Sequence, residues 1–558
     1  MPEHRPIVAS ARLIALCTLL SRITGLLRDM LLLQVYALAW VADAWNYAFQ
    51  FPNLFRRLFA EGTLAAAFVP FFTRTLENEG REAAWRLLAR TLALLTVVLV
   101  TVIGLLELVL LAIWLLATPA DAQQAAARSL LLALTALMLP FLLTISVVAL
   151  LASVLNCVGS FVPGALAPVI LNVFMIGGVL WLGPRLGRVE QLERQIFGVA
   201  LSVLVAGMVQ VLLILPVLRR NRVSLGWTLA PRDPQVRRLL LLVAPVLAGQ
   251  GILVLGPFLD TQLCVLLTRL ADGPATLSLL GASVPYPLHE GALTALSNAA
   301  RLYQFPLGVV AISLATAALP TFTRLANRDE WAAWKAQVHA TLRASIFAGL
   351  LAGGIMLALA EPIVRLLFEY RNFTAADTRR VAWVVFWYGF AMAGFCAQHI
   401  VVRAFYSIGD VRTPLRLSCV LLPANLALTL ALVWLPAIRE AAFAISSAVT
   451  ATVTVLAGLR LLERRSETRL LDGSLASAVG RMLAATVGGA ALAAWVHPMI
   501  ATLVTGFRSI ALERTIETGA ALALATGLYL SAAALLGLPE TRLLLPRRRV
   551  SARRNRAG

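Results

Sequence analysis

The sequence predicts an all-α membrane protein with about fourteen transmembrane helices, and two observations support this fold class. First, 60% of the 558 residues are hydrophobic and only 14% are charged, with a mean hydropathy of +0.83. Second, apolar runs of about 20 residues or more, the length that crosses a bilayer as a helix, recur along the whole chain. Soluble domains lie outside this range of composition.

The apolar runs also predict the topology of the chain. They lie at residues 7–37, 42–73, 85–117, 127–156, 163–183, 196–218, 236–269, 292–324, 337–360, 380–408, 414–436, 440–462, 475–500 and 515–538. Arginines cluster after the sixth run, between 219 and 238, and in the tail, between 542 and 556. The positive-inside rule therefore predicts that both termini are cytoplasmic. An anionic lipid surface accounts for much of the net charge of +20, so no nucleic acid is needed as a partner.

Short motifs recur at a spacing of about 250 residues. Gln50, Phe51 and Pro52 recur as Gln304, Phe305 and Pro306, the residues Pro70 to Arg74 resemble Pro320 to Arg324, and Gly159 corresponds to Gly409. Chance matches are the alternative explanation. A true repeat would superpose spans one to six on spans seven to twelve, as in transporters with two parallel lobes. The predicted domains are an N-lobe at 1–222, a C-lobe at 223–465, spans thirteen and fourteen at 466–540, and a basic tail at 541–558.

The first span carries charges far inside an apolar run. Arg22, Arg28, Asp29, Ser21 and Gly25 share about one third of the helix surface, and the opposite side is leucine-rich. A charge at the centre of a span costs about 2.5–3.5 kcal/mol, so such residues usually face a watery cavity on a substrate path. Snorkelling of Arg22 is the alternative, but roughly 22 Å of helix separates it from the start of the run.

Two further spans repeat this pattern. In the second span one stripe holds Asp43, Asn46, Gln50, Asn53 and Arg57, with Arg56 slightly off it, and Pro52 predicts a kink. In the eighth span the stripe holds Thr294, Ser297, Asn298, Arg301, Gln304 and Gly308. Arg301 is its only charge.

The sequence has no motif typical of nucleotide hydrolysis or of a metal site. The only lysine, Lys335, follows Trp334, so no phosphate-binding loop with its lysine after glycine is present. The five cysteines show no CxxC spacing, and the five histidines are dispersed; His399 is interpreted as a packed polar residue. We expect no catalytic residue, no metal site and no cofactor, and hence a transporter that does not itself hydrolyse ATP.

The motifs SRITGLLRD, VADAW, FPNLFRRLFAEG and FVP, in this order, resemble the signature of the MurJ (MviN) family of lipid II flippases. This family is part of the multidrug/oligosaccharidyl-lipid/polysaccharide exporter superfamily. The resemblance continues through residues 155–172, 300–320 and 373–414, and it is weakest at 261–292 and beyond 461.

The resemblance implies a central cavity whose arginines come from both lobes. The candidate substrate-binding residues are Arg22, Arg28, Arg56, Arg301, Asp43, Ser21 and Thr294, the last standing where the family has a serine. Guanidinium groups bind pyrophosphate and carboxylate through paired hydrogen bonds, which suits an anionic lipid-linked headgroup. Asp29 and Asp43 would be counterions of the arginines when no substrate is bound.

Other residues are candidates for gate or structural roles. Arg57 and Glu61, with the predicted helix end near Gly62, suit a cytoplasmic gate as well as a binding site, and Asn53 on the same stripe is placed with them. Gly159 and Gly409 lie in short polar turns between spans. These turns are interpreted first as connectors, and only through the repeat as matching gate loops.

The predicted function is therefore the movement of lipid II, the undecaprenyl-linked peptidoglycan precursor, across the inner (cytoplasmic) membrane by alternating access. The residues alone predict only a carrier with a cationic cavity. The alternatives are a flippase for another lipid-linked oligosaccharide, a drug or ion antiporter of the same superfamily, and an integral-membrane enzyme acting on polyprenyl phosphates. Membrane lipids are expected partners, and a coupling ion and proteins of cell-wall synthesis are left open.

Overall fold

A computed structural model describes residues 4–59, 63–116, 122–188, 190–269, 276–279, 282–466, 469–504 and 509–543. The first nine helices are α1 (His4–Tyr36), α2 (Trp40–Phe59), α3 (Thr63–Asn78), α4 (Arg81–Leu116), α5 (Ala122–Met138), α6 (Phe141–Cys157), α7 (Val162–Gly177), α8 (Gly183–Leu186) and α9 (Leu192–Arg220). A π-helical turn, Gly178–Leu182, joins α7 to α8.

The remaining helices are α10 (Pro234–Leu266), α11 (Ala292–Pro306), α12 (Ser313–Asn327), α13 (Trp331–Phe368), α14 (Ala375–Ser407), α15 (Arg412–Leu432), α16 (Ala441–Ser466), α17 (Gly473–Leu503) and α18 (Ile510–Leu535). A π-helical turn, Leu307–Ile312, joins α11 to α12, and a 3₁₀ helix, Pro539–Leu543, follows α18. The predicted helical membrane fold is confirmed.

Four short strands between α10 and α11 depart from the expected all-helical chain. β1 (Thr268–Arg269) pairs in parallel with β4 (Leu288–His289), and β2 (Thr276–Leu279) pairs antiparallel with β3 (Ala282–Pro285), placing Thr276 opposite Pro285. The seventh predicted span was expected to continue to residue 269, whereas α10 ends at Leu266. These strands lie in the segment where the family motifs are weakest.

Eleven helical segments within the described residues are long and apolar enough to cross a membrane. They correspond to the predicted spans other than one, two and seven, at which α1, α2 and α10 lie. The predicted fourth span is one of the eleven, although Pro140 separates α5 from α6 within it, because proline lacks an N–H for the helix ladder. The total of fourteen spans stays a prediction.

Helix boundaries recur at the spacing found in the sequence. Three pairs of helices start 250 residues apart: α3 and α12 (Thr63, Ser313), α4 and α13 (Arg81, Trp331), and α7 and α15 (Val162, Arg412). One pair, α6 and α14, ends 250 residues apart (Cys157, Ser407). Helix boundaries therefore repeat along the chain together with the short motifs.

The two turns singled out in the sequence have the same backbone geometry. Gly159 and Gly409 have φ angles of +81° and +76°. At both, the glycine N–H donates to the carbonyl three residues earlier at 3.1 Å. The next N–H donates to the carbonyl five residues before it, at 2.8 Å after Gly159 and 3.0 Å after Gly409. This pair of bonds closes a helix in a Schellman motif, which needs a residue with positive φ, and glycine adopts that conformation without strain.

The chain divides into two compact units. Unit 1 comprises Met1–Ser297 with Phe368–Asp377, and unit 2 comprises Asn298–Leu367 with Thr378–Gly558. The segment Phe368–Asp377 joins unit 1 through Asn372, whose backbone N–H and side-chain amide donate to carbonyls at the end of α1. The predicted lobe limits at 222 and 465 were placed by the internal repeat, and this division into compact units does not test them. They stay predictions.

Unit 1 holds two apolar cores. One is built by α1, α2, α5, α6, α7 and α9 around Tyr36, Trp45 and Phe141, and the other by α3, α4, α6 and α9 around Phe68 and Phe72. Phe68 and Phe72 stack with ring centroids 5.2 Å apart. Helices α1 and α2, which carry the polar stripes, thus pack into the protein through their apolar faces.

Unit 2 packs α17 and α18 against a core built by α12, α13, α14 and α16. Trp334 is fully buried there, and its indole N–H donates to Ser407 Oγ at 3.0 Å. Helices α13 and α14 approach closely, since a Cβ added at Gly353 would lie 2.5 Å from the carbonyl oxygen of Gly389. Tyr529 of α18 donates its hydroxyl to the carbonyl of Phe347 at 2.9 Å. Small residues and backbone acceptors are typical of helix contacts in membranes.

An ion pair attaches the 3₁₀ helix after α18 to α13. Arg343 Nε lies 2.6 Å from Glu540 Oε1, and only 7% of the Glu540 side chain is exposed. By contrast, the Arg328–Glu330 pair after α12 spans 3.9 Å, and its side chains are 65% and 46% exposed. A buried carboxylate that loses its partner is far more costly than an exposed one.

We therefore expect Arg343→Ala to destabilise the protein by about 3–5 kcal/mol, because Glu540 would remain buried without its cation. Arg328→Ala is the matched control and should change stability by about 1 kcal/mol or less. Thermal unfolding of both variants in detergent measures the difference. Equal shifts in melting temperature would show that Glu540 is not held by Arg343.

Candidate functional site

The most buried of the predicted charges in unit 1 join α1 to α7. Arg28 Nε donates to Asp29 Oδ1 at 2.9 Å, and its Nη2 lies 2.7 Å from the same oxygen. Its Nη1 donates to Asn172 Oδ1 at 2.8 Å. The Arg28 side chain is 12% exposed and Asp29 is buried, so the guanidinium is neutralised within its own unit.

Asn172 completes this cluster and was absent from the predicted site. Its amide nitrogen donates to the carbonyl of Ser21 at 3.0 Å and to Thr24 Oγ1 at 3.2 Å. A Cβ added at Gly25 would lie 3.4 Å from that nitrogen, so glycine gives the asparagine room beside α1. Its sequence signal was an amide inside the apolar run VILNVFMI of a predicted span.

Arg22 lies six residues before Arg28 on α1 and is exposed. Ser21, beside it, is half-buried and offers its carbonyl to Asn172 and to Thr24. The polar face predicted for the first span therefore exists on one helix, with its inner part tied to α7 and Arg22 left accessible.

Asp43 of α2 caps the first turn of α11. Its Oδ2 accepts from the N–H of Gly291 at 2.7 Å, and its Oδ1 accepts from the N–H and the hydroxyl of Thr294 at 2.8 and 2.7 Å. Asn46 donates to Thr294 Oγ1 at 3.1 Å. A carboxylate at a helix N-terminus satisfies free N–H groups and meets the positive end of the helix dipole.

The backbone around this cap is closely packed. Gly291 has a φ of +81°, and a Cβ there would lie 2.2 Å from the carbonyl oxygen of Leu38. Thr294 is 1% exposed. Asp43 and Thr294, both predicted to contact substrate, thus bind each other in this conformation, and their role in substrate binding stays a prediction.

The second half of α2 continues through Pro52 as one helix. Arg56 Nη2 donates to Asn53 Oδ1 at 2.8 Å, one turn away. Asn53 therefore orients the Arg56 guanidinium. Glu61 and the side chain of Arg57 lie outside the described residues, so the predicted gate at this end of α2 stays a prediction.

Unit 2 carries Arg301 on α11, where it is half-buried. Two residues later, Tyr303 packs on Tyr388 and Phe395 of α14, with ring centroids 4.5 and 5.0 Å away. The π-helical turn Leu307–Ile312 begins just after Pro306. Such turns frequently occur at functional sites in helices.

Helix α14 presents a further polar stripe that the sequence reasoning missed. His399, Arg403 and Tyr406 are spaced by four and three residues, so they share one face, and all three are half-buried. The signal was available in the sequence as an arginine within a predicted span. His399, interpreted earlier as a packed polar residue, has Arg403 one turn away.

The chemistry of these residues favours binding of anions. No group of three or more His, Cys, Asp or Glu side chains that could hold a metal ion occurs among the residues that the structure describes. The five cysteines are free thiols. The cationic groups on α1, α2, α11 and α14 are arginines, whose planar donors match phosphate and carboxylate oxygens.

Comparisons with known proteins agree with this chemistry. Residues 38–512 match the family described as lipid II flippase MurJ. A probable lipid II flippase MurJ of Rhizobium meliloti strain 1021 is 30% identical over 448 residues, which cover 79% of this chain and 77% of the relative.

Two solved structures share the fold. One is a lipid II flippase MurJ in an inward closed conformation, with a TM-score of 0.68 at 18% identity over 94% of this chain and 98% of that one. The other is an inward-facing multidrug resistance MATE family transporter of the MOP superfamily, with a TM-score of 0.63 at 15% identity over 80% of this chain and 94% of that one. The family match spans most of the sequence and confirms the resemblance of the motifs. The chain therefore belongs to the MurJ family of lipid II flippases.

Proposed function

We propose that this chain translocates lipid II from the inner to the outer leaflet of the cytoplasmic membrane by alternating access. The match of residues 38–512 to the flippase family is the observation that carries the proposal. The arginines on α1, α2 and α11 support it, because a lipid-linked sugar diphosphate with a peptide stem presents phosphate and carboxylate oxygens. The chain acts as a transporter and not as an enzyme.

Arg22, Arg28, Arg56 and Arg301 are the proposed headgroup ligands. Arg28 would exchange Asp29 and Asn172 for the pyrophosphate, and Arg56 would exchange Asn53 in the same way. A cation that already has partners costs less to hold in an empty site than an unpaired one. Arg22 is exposed, so its guanidinium is accessible to a headgroup.

The choice of arginine also separates this proposal from its alternatives. An exporter of organic cations would present carboxylates to its substrate, and the resemblance to the MATE transporter, at 15% identity, concerns the fold alone. An enzyme acting on polyprenyl phosphates would need a cluster of acidic or histidine side chains, and none of three or more lies within the described ranges. A flippase for a different lipid-linked oligosaccharide remains the second candidate within the superfamily.

Topology completes the proposal. Both termini lie in the cytoplasm, because the arginine-rich segments after α9 and after α18 belong on the cytoplasmic side. The membrane potential drives the cycle by acting on charges of the cavity and substrate, with about 2.3 kcal/mol available per charge per 100 mV.

Arg22→Ala, Arg28→Ala and Arg301→Ala should each lower the affinity for lipid II by about 10- to 100-fold, since a charged hydrogen bond contributes about 1.5–3 kcal/mol. Lysine at these positions should restore little of the affinity, because its ammonium group lacks the paired, coplanar N–H donors of a guanidinium. Flipping of fluorescent lipid II in proteoliposomes and complementation of a depleted strain measure the effect. Arg86→Ala, on an exposed arginine, is the control. Normal flipping by all three alanine variants would refute the assignment of these ligands.

Thr294→Val should slow flipping and lower stability by about 1.5–3 kcal/mol, because Asp43 would lose a charged hydrogen bond. Thr294→Ser should retain both properties, since it keeps the hydroxyl. Thr316→Val is the matched control, because the exposed Thr316 hydroxyl donates to the carbonyl of Ile312, one turn earlier, and not to a carboxylate. The measurements are the flipping rate and the melting temperature. A valine variant that behaves like the wild type would exclude the cap from the transport cycle.

Flipping should proceed in proteoliposomes without ATP, because the sequence has no phosphate-binding loop around Lys335. A potassium diffusion potential set with valinomycin should change the rate, and reversing its sign should reverse the change. Equal rates at both signs and at zero potential would contradict drive by the potential. A strict requirement for ATP would contradict the assignment of the energy source altogether.

A further inference from the structure

Helix α4 is the least covered of the candidate membrane spans found in the described part of unit 1. It runs for 36 residues, and only 6% of its most apolar window is buried inside the protein. Large apolar side chains are exposed along its second half, among them Val100, Leu105, Leu108, Leu111 and Leu115. In a membrane this face meets lipid or another transmembrane helix.

A single acidic residue interrupts the apolar half of α4. Glu107 lies nine residues before Leu116, the last residue of the helix, which is roughly 14 Å at about 1.5 Å per residue. It lies 17 residues, roughly 25 Å, after Arg90, which is held by Asp233 at 2.6 Å. Mainly apolar residues flank Glu107 on both sides from Leu92 to Leu116, so it lies in the stretch of α4 that hydrocarbon would surround.

Glu107 makes no hydrogen bond or ion pair with any residue in the part of the chain that the structure describes. The residues one turn away on α4 are Ile103, Gly104, Leu110 and Leu111, none of which offers a polar side chain. Ionisable residues within spans almost always pair with one another or face water. The partner that this carboxyl group needs is therefore absent from the described chain.

The surface next to Glu107 is also shaped for close approach. Gly104 is exposed, and a Cβ added there would meet no atom within 4 Å. Thr101, one turn earlier, is exposed and keeps its hydroxyl on the carbonyl of Val97 at 2.9 Å. Small residues at helix surfaces let the backbone of a neighbouring helix come close, which is how helices associate in lipid.

We propose that α4 is a docking surface for a transmembrane helix of another membrane protein, which carries an arginine or a lysine at the depth of Glu107. Charge complementarity selects this occupant, because a basic side chain neutralises the carboxylate in a medium of low dielectric constant. A second copy of this chain would instead bring Glu107 against Glu107, and like charges repel. The occupant lies outside the headgroup site, so the inference does not depend on the proposed function.

A synthetic transmembrane peptide tests the inference. The peptide is a leucine–alanine helix with one central arginine, and the matched peptide has leucine at that position. A fluorophore on Leu116→Cys, in a chain whose five native cysteines are replaced, reports energy transfer to the labelled peptide in liposomes. The arginine peptide should bind the wild-type chain about tenfold more tightly than the leucine peptide.

Variants of Glu107 make the test specific. Glu107→Leu should abolish the preference for the arginine peptide, and Glu107→Gln should retain only part of it. Unchanged thermal unfolding and lipid II flipping of Glu107→Leu show that the variant is folded. Equal binding of the two peptides to the wild-type chain would overturn the proposal. A second outcome would also overturn the proposal. If copies of the wild-type chain show energy transfer to one another, Glu107→Leu abolishes that transfer, and the arginine peptide is not preferred, the occupant of α4 is a second copy.

Discussion

The cost of placing a charge in hydrocarbon is the constraint on which this structure depends. Arg28, deep in α1, satisfies it with Asp29 on its own helix and Asn172 on α7. Because the amide of Asn172 also holds the carbonyl of Ser21, one polar cluster both neutralises a cation and fixes the distance between two helices. A binding site for an anion can be built this way without leaving unpaired cations while it is empty.

Unit 2 applies the same rule at its helix ends. Three glutamates, Glu440, Glu517 and Glu540, are each 5–6% exposed, and each pairs with an arginine on α13 or α14. The pairs attach the segments before α16, in α18 and after α18 to those two long helices. The Glu517 carboxylate also lies 3.0 Å from His497 Nε2 of α17, so residues of α13 and α17 both contact this one carboxylate of α18. Paired buried charges here act as attachments, whereas the arginines of α1, α2 and α11 are the proposed ligands of the substrate.

Backbone groups at helix ends obey a parallel rule, since each unpaired N–H or carbonyl needs a partner. The turns at Gly159 and Gly409 satisfy carbonyls with two bonds each and allow the next helix to start within four residues. The start of α11 is satisfied by a side chain from another helix, Asp43. That cap ties the conformation of the helix carrying Arg301 to a carboxylate on α2.

Much of the architecture follows from the sequence alone. Hydropathy identifies the helical membrane fold, and the arginines stand out because apolar runs surround them. The 250-residue spacing also pairs Gly159 with Gly409 in two short polar turns, and the structure adds that these turns share one backbone geometry. These features are local, since periodicity and composition report which face of a helix is polar and how long the helix is.

Only the tertiary structure decided which polar groups meet. Periodicity cannot say that Arg28 reaches Asn172, 144 residues away, or that Asp43 caps α11. The strands between α10 and α11 and the attachment of Glu540 to Arg343 were equally inaccessible. The physical reason is that the energy of a buried polar group depends on the partner that packing brings to it, and that partner is set by the contacts of whole helices.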